Sequence, residues 1–175
     1  MNLEKPKHKL PSLLFGDRIA MVDRVPDDIS RRVESALPVN VSYEALGPES
    51  QIIHRSRVVH INDLELMCAA STPVQVKVTQ IDQPLLIVPL HGRFEVTFAG
   101  QSYQGEARRS ACLLPASAWI NSTETVSILV IKIDPMHIER VTQTMLAVAG
   151  DQTQGFDWSV VHQLDLKDSG LDFDS

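Results

Sequence analysis

The sequence has little of what would tie it to a membrane, the cell exterior or a nucleic acid. No apolar run approaches the ~18–20 residues of a membrane span. The basic start MNLEKPKHKLPSLLFG lacks a sustained apolar core and a cleavage site, so it does not read as a secretory signal. A cytoplasmic location is the default expectation. There are two cysteines, Cys68 and Cys112, each in an apolar, strand-like context. They read as buried free thiols acting as small apolar groups; spacing alone does not decide a disulfide, and no nearby base would activate either one. Net charge is −6. Residues 151–175 hold six Asp and one Lys, so the acidity belongs to the tail and the body is nearly neutral. Phosphate binding needs a surplus of Lys and Arg on one face, and neither part has it. Arg31-Arg32 and Arg108-Arg109 are isolated pairs that read as solvated surface.

Catalytic signatures are also scarce. Alternate residues of a strand share one side, so His-x-His would aim two imidazoles at one interior point. The six histidines, His8, His54, His60, His91, His137 and His162, include no such pair. Where a later metal-binding strand of a cupin would follow a Pro-x-Gly turn with a histidine, the chain reads Pro115-Ala116-Ser117-Ala118-Trp119-Ile120. There is no Gly-x-Ser-x-Gly elbow, no Walker-type loop and no Cys-x-x-Cys pair. The expectation is a chain with no metal site, no cofactor and no catalytic residue. A metal site gathered from distant residues such as His60 and His91 stays open.

What the chain does have is strands. Its 175 residues are 43% apolar and 22% charged, enough for one hydrophobic core. Phe94, Val96 and Phe98 alternate with Glu95 and Thr97, the period of a half-buried strand. Gly100 can take the positive φ of a tight hairpin. Ala111–Leu114 is an unbroken apolar run, as in a strand covered on both faces. Strands are expected near 55–60, 64–71, 74–80, 84–91, 93–98, 101–105, 110–114 and 125–133. Turns fall at Asn62-Asp63, Thr72-Pro73, Asp82-Gln83-Pro84, Gly100 and Asn121-Ser122. Such spacing predicts a sandwich or barrel rather than a nucleotide-binding parallel sheet. Residues 39–53 give no clear pattern.

Two helices frame the strands. Pro26 to Pro38 bounds a short one, with Asp27 or Asp28 as cap and Ile29, Val33 and Ala36 on one face. Asp134-Pro135 starts the second, where Ile138, Val141, Met145 and Val148 form one stripe and Gly150 is the stop. That stripe suits either packing on the barrel or a subunit interface. In the tail, Trp158, Val161 and Leu164 suit a short docked helix, and both extreme ends suit loosely ordered termini. The division expected is residues 1–150 as one domain and 151–175 as an acidic tail or linker. A barrel of this kind can hold a small ligand, and the candidate contacts are His91, Arg93, Tyr103 and Trp119. Each also has a plainer role, as core aromatic or edge cover.

The run PLHGRFEVTFAGQSYQGEARRSACLLPA resembles the N-terminal, cupin-like domain of AraC-type transcription regulators. Gly92-Arg93 matches the pair that ends a strand there, and Gly100 matches the hairpin glycine. Arg108, Arg109 and Ser110 stand where Pro, Gly and Asp are common. The approach, HRSRVVHINDLELMCAAS then VQVKVTQIDQPLLIV, is similar, as is the exit SILVIKIDPMHIERVTQTMLA. The likeness covers roughly residues 40–150. It implies a cupin-like jelly-roll β-barrel with a short N-terminal helix and a C-terminal amphipathic helix. It implies a non-enzymatic domain that senses a small-molecule effector, forms a homodimer, or both. DNA would be read by a C-terminal domain of two helix-turn-helix motifs, which this chain does not contain. Two other readings stay open: a metal-dependent cupin isomerase or oxygenase, and a stand-alone binding protein.

Overall fold

Strand alternation sets the architecture. In Arg93–Phe98, Phe94 and Val96 are buried while Arg93, Glu95 and Thr97 face water. The computed structural model describes residues 10–46, 51–62, 64–149 and 156–167, with side chains of the last helix described as far as residue 144. The order is β1 (Met21–Asp23), α1 (Pro26–Ala36), β2 (Val39–Ala45), β3 (His54–Ile61), β4 (Leu64–Ser71), β5 (Val74–Ile81) and β6 (Leu85–His91). Then come β7 (Arg93–Phe98), β8 (Gln101–Glu106), β9 (Ser110–Leu114), β10 (Trp119–Thr123), β11 (Val126–Lys132), α2 (Pro135–Ala149) and β12 (His162–Asp165).

The strands make one curled antiparallel sheet in the order β1-β3-β4-β11-β6-β9-β8-β7-β10-β5-β2, with β12 added to β9. It bends between β9 and β8, which meet only at Glu106 and Ser110. The two arms then close on one core, which includes Met67, Ile87, Cys112 and Val130 from one arm and Val41, Val74, Val96 and Trp119 from the other. This is a mainly β, jelly-roll-like half-barrel with two helices. Helix α1 fills one end through Ile29 and Val33.

Turn chemistry fixes the hairpins. Gly92 joins β6 to β7 at φ +72, and a Cβ there would sit 2.3 Å from the Thr125 carbonyl oxygen. Only glycine fits that approach. The β7–β8 turn uses Ala99 and Gly100, both at positive φ. Arg108 takes positive φ in the turn before β9.

Several sequence expectations need correcting. α1 is entered at Val25, which makes no side-chain cap, and Asp27 and Asp28 lie in the first turn. Their charges still favour the helix N-terminus. Asn121 and Ser122 are not a turn but part of β10. Residues 39–45 form β2. Residues 162–165 form a strand on β9 instead of a docked helix. Arg32 is no solvated surface group: its Nε and Nη2 donate to Asp23 at 2.5 and 2.9 Å. Residues 10–16 are packed, not loose, with Leu10 and Leu13 buried against Cys68 and Ala70 on the outer face of the sheet. Asp134 caps α2 by accepting from the Met136 N–H at 3.0 Å. Gly150, the expected helix stop, lies outside the described residues.

Candidate functional site

Strand register shows which side chains share the concave face. One row runs Tyr43, Val76, Asn121, Val96, Tyr103 across β2, β5, β10, β7 and β8. Beside it lie Val41, Val78 and Trp119. On the facing arm, His54 pairs with Ser71 and Ser71 with Val126. Most of this surface is apolar, as a barrel core requires.

Three of its polar residues are exceptions. His54, Trp119 and Asn121 are 3%, 6% and 3% exposed. Among the described residues, both ring nitrogens of His54, the Trp119 indole nitrogen and the Asn121 Oδ1 have no hydrogen-bond partner. Each such atom costs about 1–3 kcal/mol when taken from water unmatched. Burial also lowers the His54 pKa from 6.5 to about 4, so the imidazole is neutral near pH 7. Tyr43 packs against it edge-on, with ring centroids 5.6 Å apart, and burial pushes the Tyr43 hydroxyl's pKa well up. Asp23 is the cross-strand neighbour of His54, and its carboxyl is held below the usual range chiefly by its bond from Arg32. The face therefore offers hydrogen bonds in both directions: indole N–H donor, amide oxygen acceptor, and an imidazole that does both.

The four ligand candidates divide. Trp119 is buried on the concave face. Tyr103 shares that face, half-buried, and its hydroxyl donates to Gln101 Oε1 at 2.8 Å. His91 is exposed at the end of β6. Arg93 is exposed, with its Nη2 2.7 Å from Glu124 Oε1. The pair lines an open outer cleft of about 370 Å³ with Glu95, Gln104 and Ser122. Sequence reasoning missed His54 and Asn121, although Asn121 stands two residues from Trp119 and so shares its side.

Of the helix stripe, Ile138 and Val141 are exposed, 40% and 44%. The other two, Met145 and Val148, have side chains outside the described residues. Trp158 Nε1 donates to Glu139 Oε1 at 3.1 Å, bringing the segment before β12 beside the helix. Both cysteines are free and buried, and burial raises both thiols, Cys112 to about 12. Among the described residues, no three His, Cys, Asp or Glu side chains gather as a metal site. None of the described helices is long and apolar enough to cross a membrane.

No protein-family model and no curated protein matches the sequence. Among solved structures, the AraC-like transcriptional activator CuxR matches with a TM-score of 0.51 and 11% identity, over 65% of this chain. A protein of unknown function from Acinetobacter sp. ADP1 (DUF1255) overlaps 54% of the chain at 14% identity, but its TM-score of 0.29 carries no weight. This chain spans about half of the CuxR chain, 46%. The half-barrel read first from strand spacing and local motifs thus shares its fold with part of an AraC-like transcriptional activator.

Proposed function

We propose that this chain is the effector-sensing and self-associating portion of an AraC-type transcription regulator, and not an enzyme. The observation that carries the reading is the fold it shares with such an activator. The concave face supports the sensing role, because a bound molecule would satisfy the unmatched atoms of His54, Trp119 and Asn121. Tyr103 lies on the row of Asn121, with Val96 between them. His91 and Arg93 lie outside that face and keep surface roles. With His54 neutral, and Asp23 and Arg32 engaged with each other, the face favours an uncharged effector. Effector binding would shift the balance between two arrangements of barrel and helix by its difference in affinity for them.

The exposed stripe of α2 is the proposed dimer surface, Ile138 and Val141 with Met145 and Val148 continuing it. In such a regulator DNA is read by a separate helix-turn-helix domain, and none of the residues described here takes that role. A soluble, cytoplasmic protein fits this work.

The test uses the full natural gene product. Gel-shift assays on DNA upstream of its own gene should show binding that changes when a small-molecule extract of the cells is added. Asn121→Val should bind the same DNA without that change. Failure of the full product to bind any of this DNA would end the regulator reading. For the dimer, Val141→Asp should halve the mass seen by light scattering while leaving circular dichroism intact. An unchanged mass would remove α2 from the interface.

A further inference from the structure

Among the described strands, β1 is the shortest and the least anchored. It has three residues, it pairs with β3 alone, and Met21 and Val22 stand 51% and 53% exposed. Its one buried side chain is Asp23, whose carboxylate accepts from Nε and Nη2 of Arg32 on α1. A segment that buries so little opens at a fraction of the free energy of global unfolding.

What β1 covers is His54. The register sets Asp23 opposite His54, and directly paired residues share a face, so carboxylate and imidazole stand side by side on the concave side. The other cross-strand neighbour of His54 is Ser71 of β4, which does not titrate. Tyr43 of β2 meets the ring edge-on, its hydroxyl held neutral by burial. Among the described residues, Asp23 and Arg32 are the charged groups that act on His54, and they are engaged with each other. Asp28, which acts on Arg32 in turn, is bonded to Arg31. The imidazole is thus sealed, with neither nitrogen bonded among the described residues.

A proton arriving on that ring would set a second cation beside Arg32, with one carboxylate between the two. A buried charge without its own partner is costly, and the structure relieves it most cheaply by admitting water. The flank with least to lose is β1. Peeling it from β3 breaks three residue pairs and uncovers the edge on which His54 stands. The Arg32 side chain, already 36% exposed, can follow Asp23 outward.

We infer that β1 is an acid-released cover: uptake of a proton at His54 detaches β1, with Asp23, from β3 while the rest of the sheet stays folded. This release does not depend on the concave face taking an effector.

Hydrogen exchange read by mass spectrometry on the intact chain, with rates corrected for the intrinsic effect of pH, tests it segment by segment. At pH 7 the Met21–Asp23 segment should open at least about a hundredfold more often than Arg93–Phe98 of β7, and low urea should leave that opening unchanged, as for a local event. From pH 7 to pH 5 its opening should rise roughly twentyfold, because a ring with a folded pKa of about 4 regains 6.5 once uncovered. In His54→Phe the rise should vanish while the opening at pH 7 stays as in wild type; His54→Gln takes its place if the phenylalanine disturbs the circular dichroism. Three results would each overturn the inference. One is exchange of β1 at the rate of β7, which would mean that His54 is uncovered only by global unfolding. The second is fast exchange of β1 that ignores pH. The third is an equal rise in the folded His54 variant.

Discussion

The two faces of the β3-β4-β11 arm are finished differently. Its outer face is sealed by the strap of residues 10–17. Leu10 and Leu13 bury Cys68 and Ala70, Arg57 Nη1 donates to the Phe15 carbonyl at 2.6 Å, and Ser127 Oγ donates to the Ser12 carbonyl at 3.3 Å. Arg55 pairs with Asp17 at 2.8 Å. Among the described residues, Arg57 Nε is the one buried side-chain polar atom there that lacks a partner. The arm's concave face keeps His54 buried and unmatched among the described residues, as the opposing arm keeps Trp119 and Asn121 of β10. One face is built for stability, and the other holds polar groups that a stability-only design would replace with apolar ones. Such violations concentrate where a protein does its work.

The largest expected effect is acid destabilisation through the concave face. The folded His54 has a pKa near 4 and the unfolded one near 6.5. Between those values the unfolded chain binds a proton that the folded chain refuses, so stability falls as pH drops from 6.5 to about 4. The loss is on the order of 3 kcal/mol, after which His54 contributes no more. Asp23 acts in a lower window. Its folded pKa lies below 3.8, so its contribution is present above that value and is lost only as pH falls further. Urea titrations across pH should show the His54 slope in the wild type and a flattened profile in His54→Phe. An identical slope in both would mean that the ring is solvated.

Next in size is the strap. Leu13→Ala removes a buried side chain and should cost about 2–3 kcal/mol. It should also open Cys68, but not Cys112, to a thiol reagent. If stability and thiol reactivity stay at wild-type levels, the strap does not seal the outer face.

The contrast between the faces was partly legible in the sequence. β4, β7 and β9 follow their apolar pattern and their turn residues, and match the expected spans to within a residue. β2 carried the same signal, with Val39, Val41, Tyr43 and Ala45 alternating against Asn40, Ser42 and Glu44, and its pairing with β5 shifts register between Asn40 and Val41. β10 was hidden because its inward residues include Asn121 and Thr123, so a buried face looks polar. The same polarity concealed the candidate site. Asn121 reads as a turn residue and His54 as a surface one until register places them inside. β12 has no alternation, and β9 alone decides that it pairs. The strap was illegible because its apolar residues match the outside of a sheet, which no local pattern announces.

The smallest expected change is also the most direct test of the concave face. Asn121→Val removes an acceptor that the folded protein leaves unmatched, in a β-branched side chain that suits strand β10 and is only modestly larger. In the absence of any added ligand, equilibrium urea unfolding should show the variant more stable than wild type by about 1 kcal/mol. A loss of 1 kcal/mol or more would mean that Asn121 already has its partner, and that the concave face is a finished core with nothing left to bind.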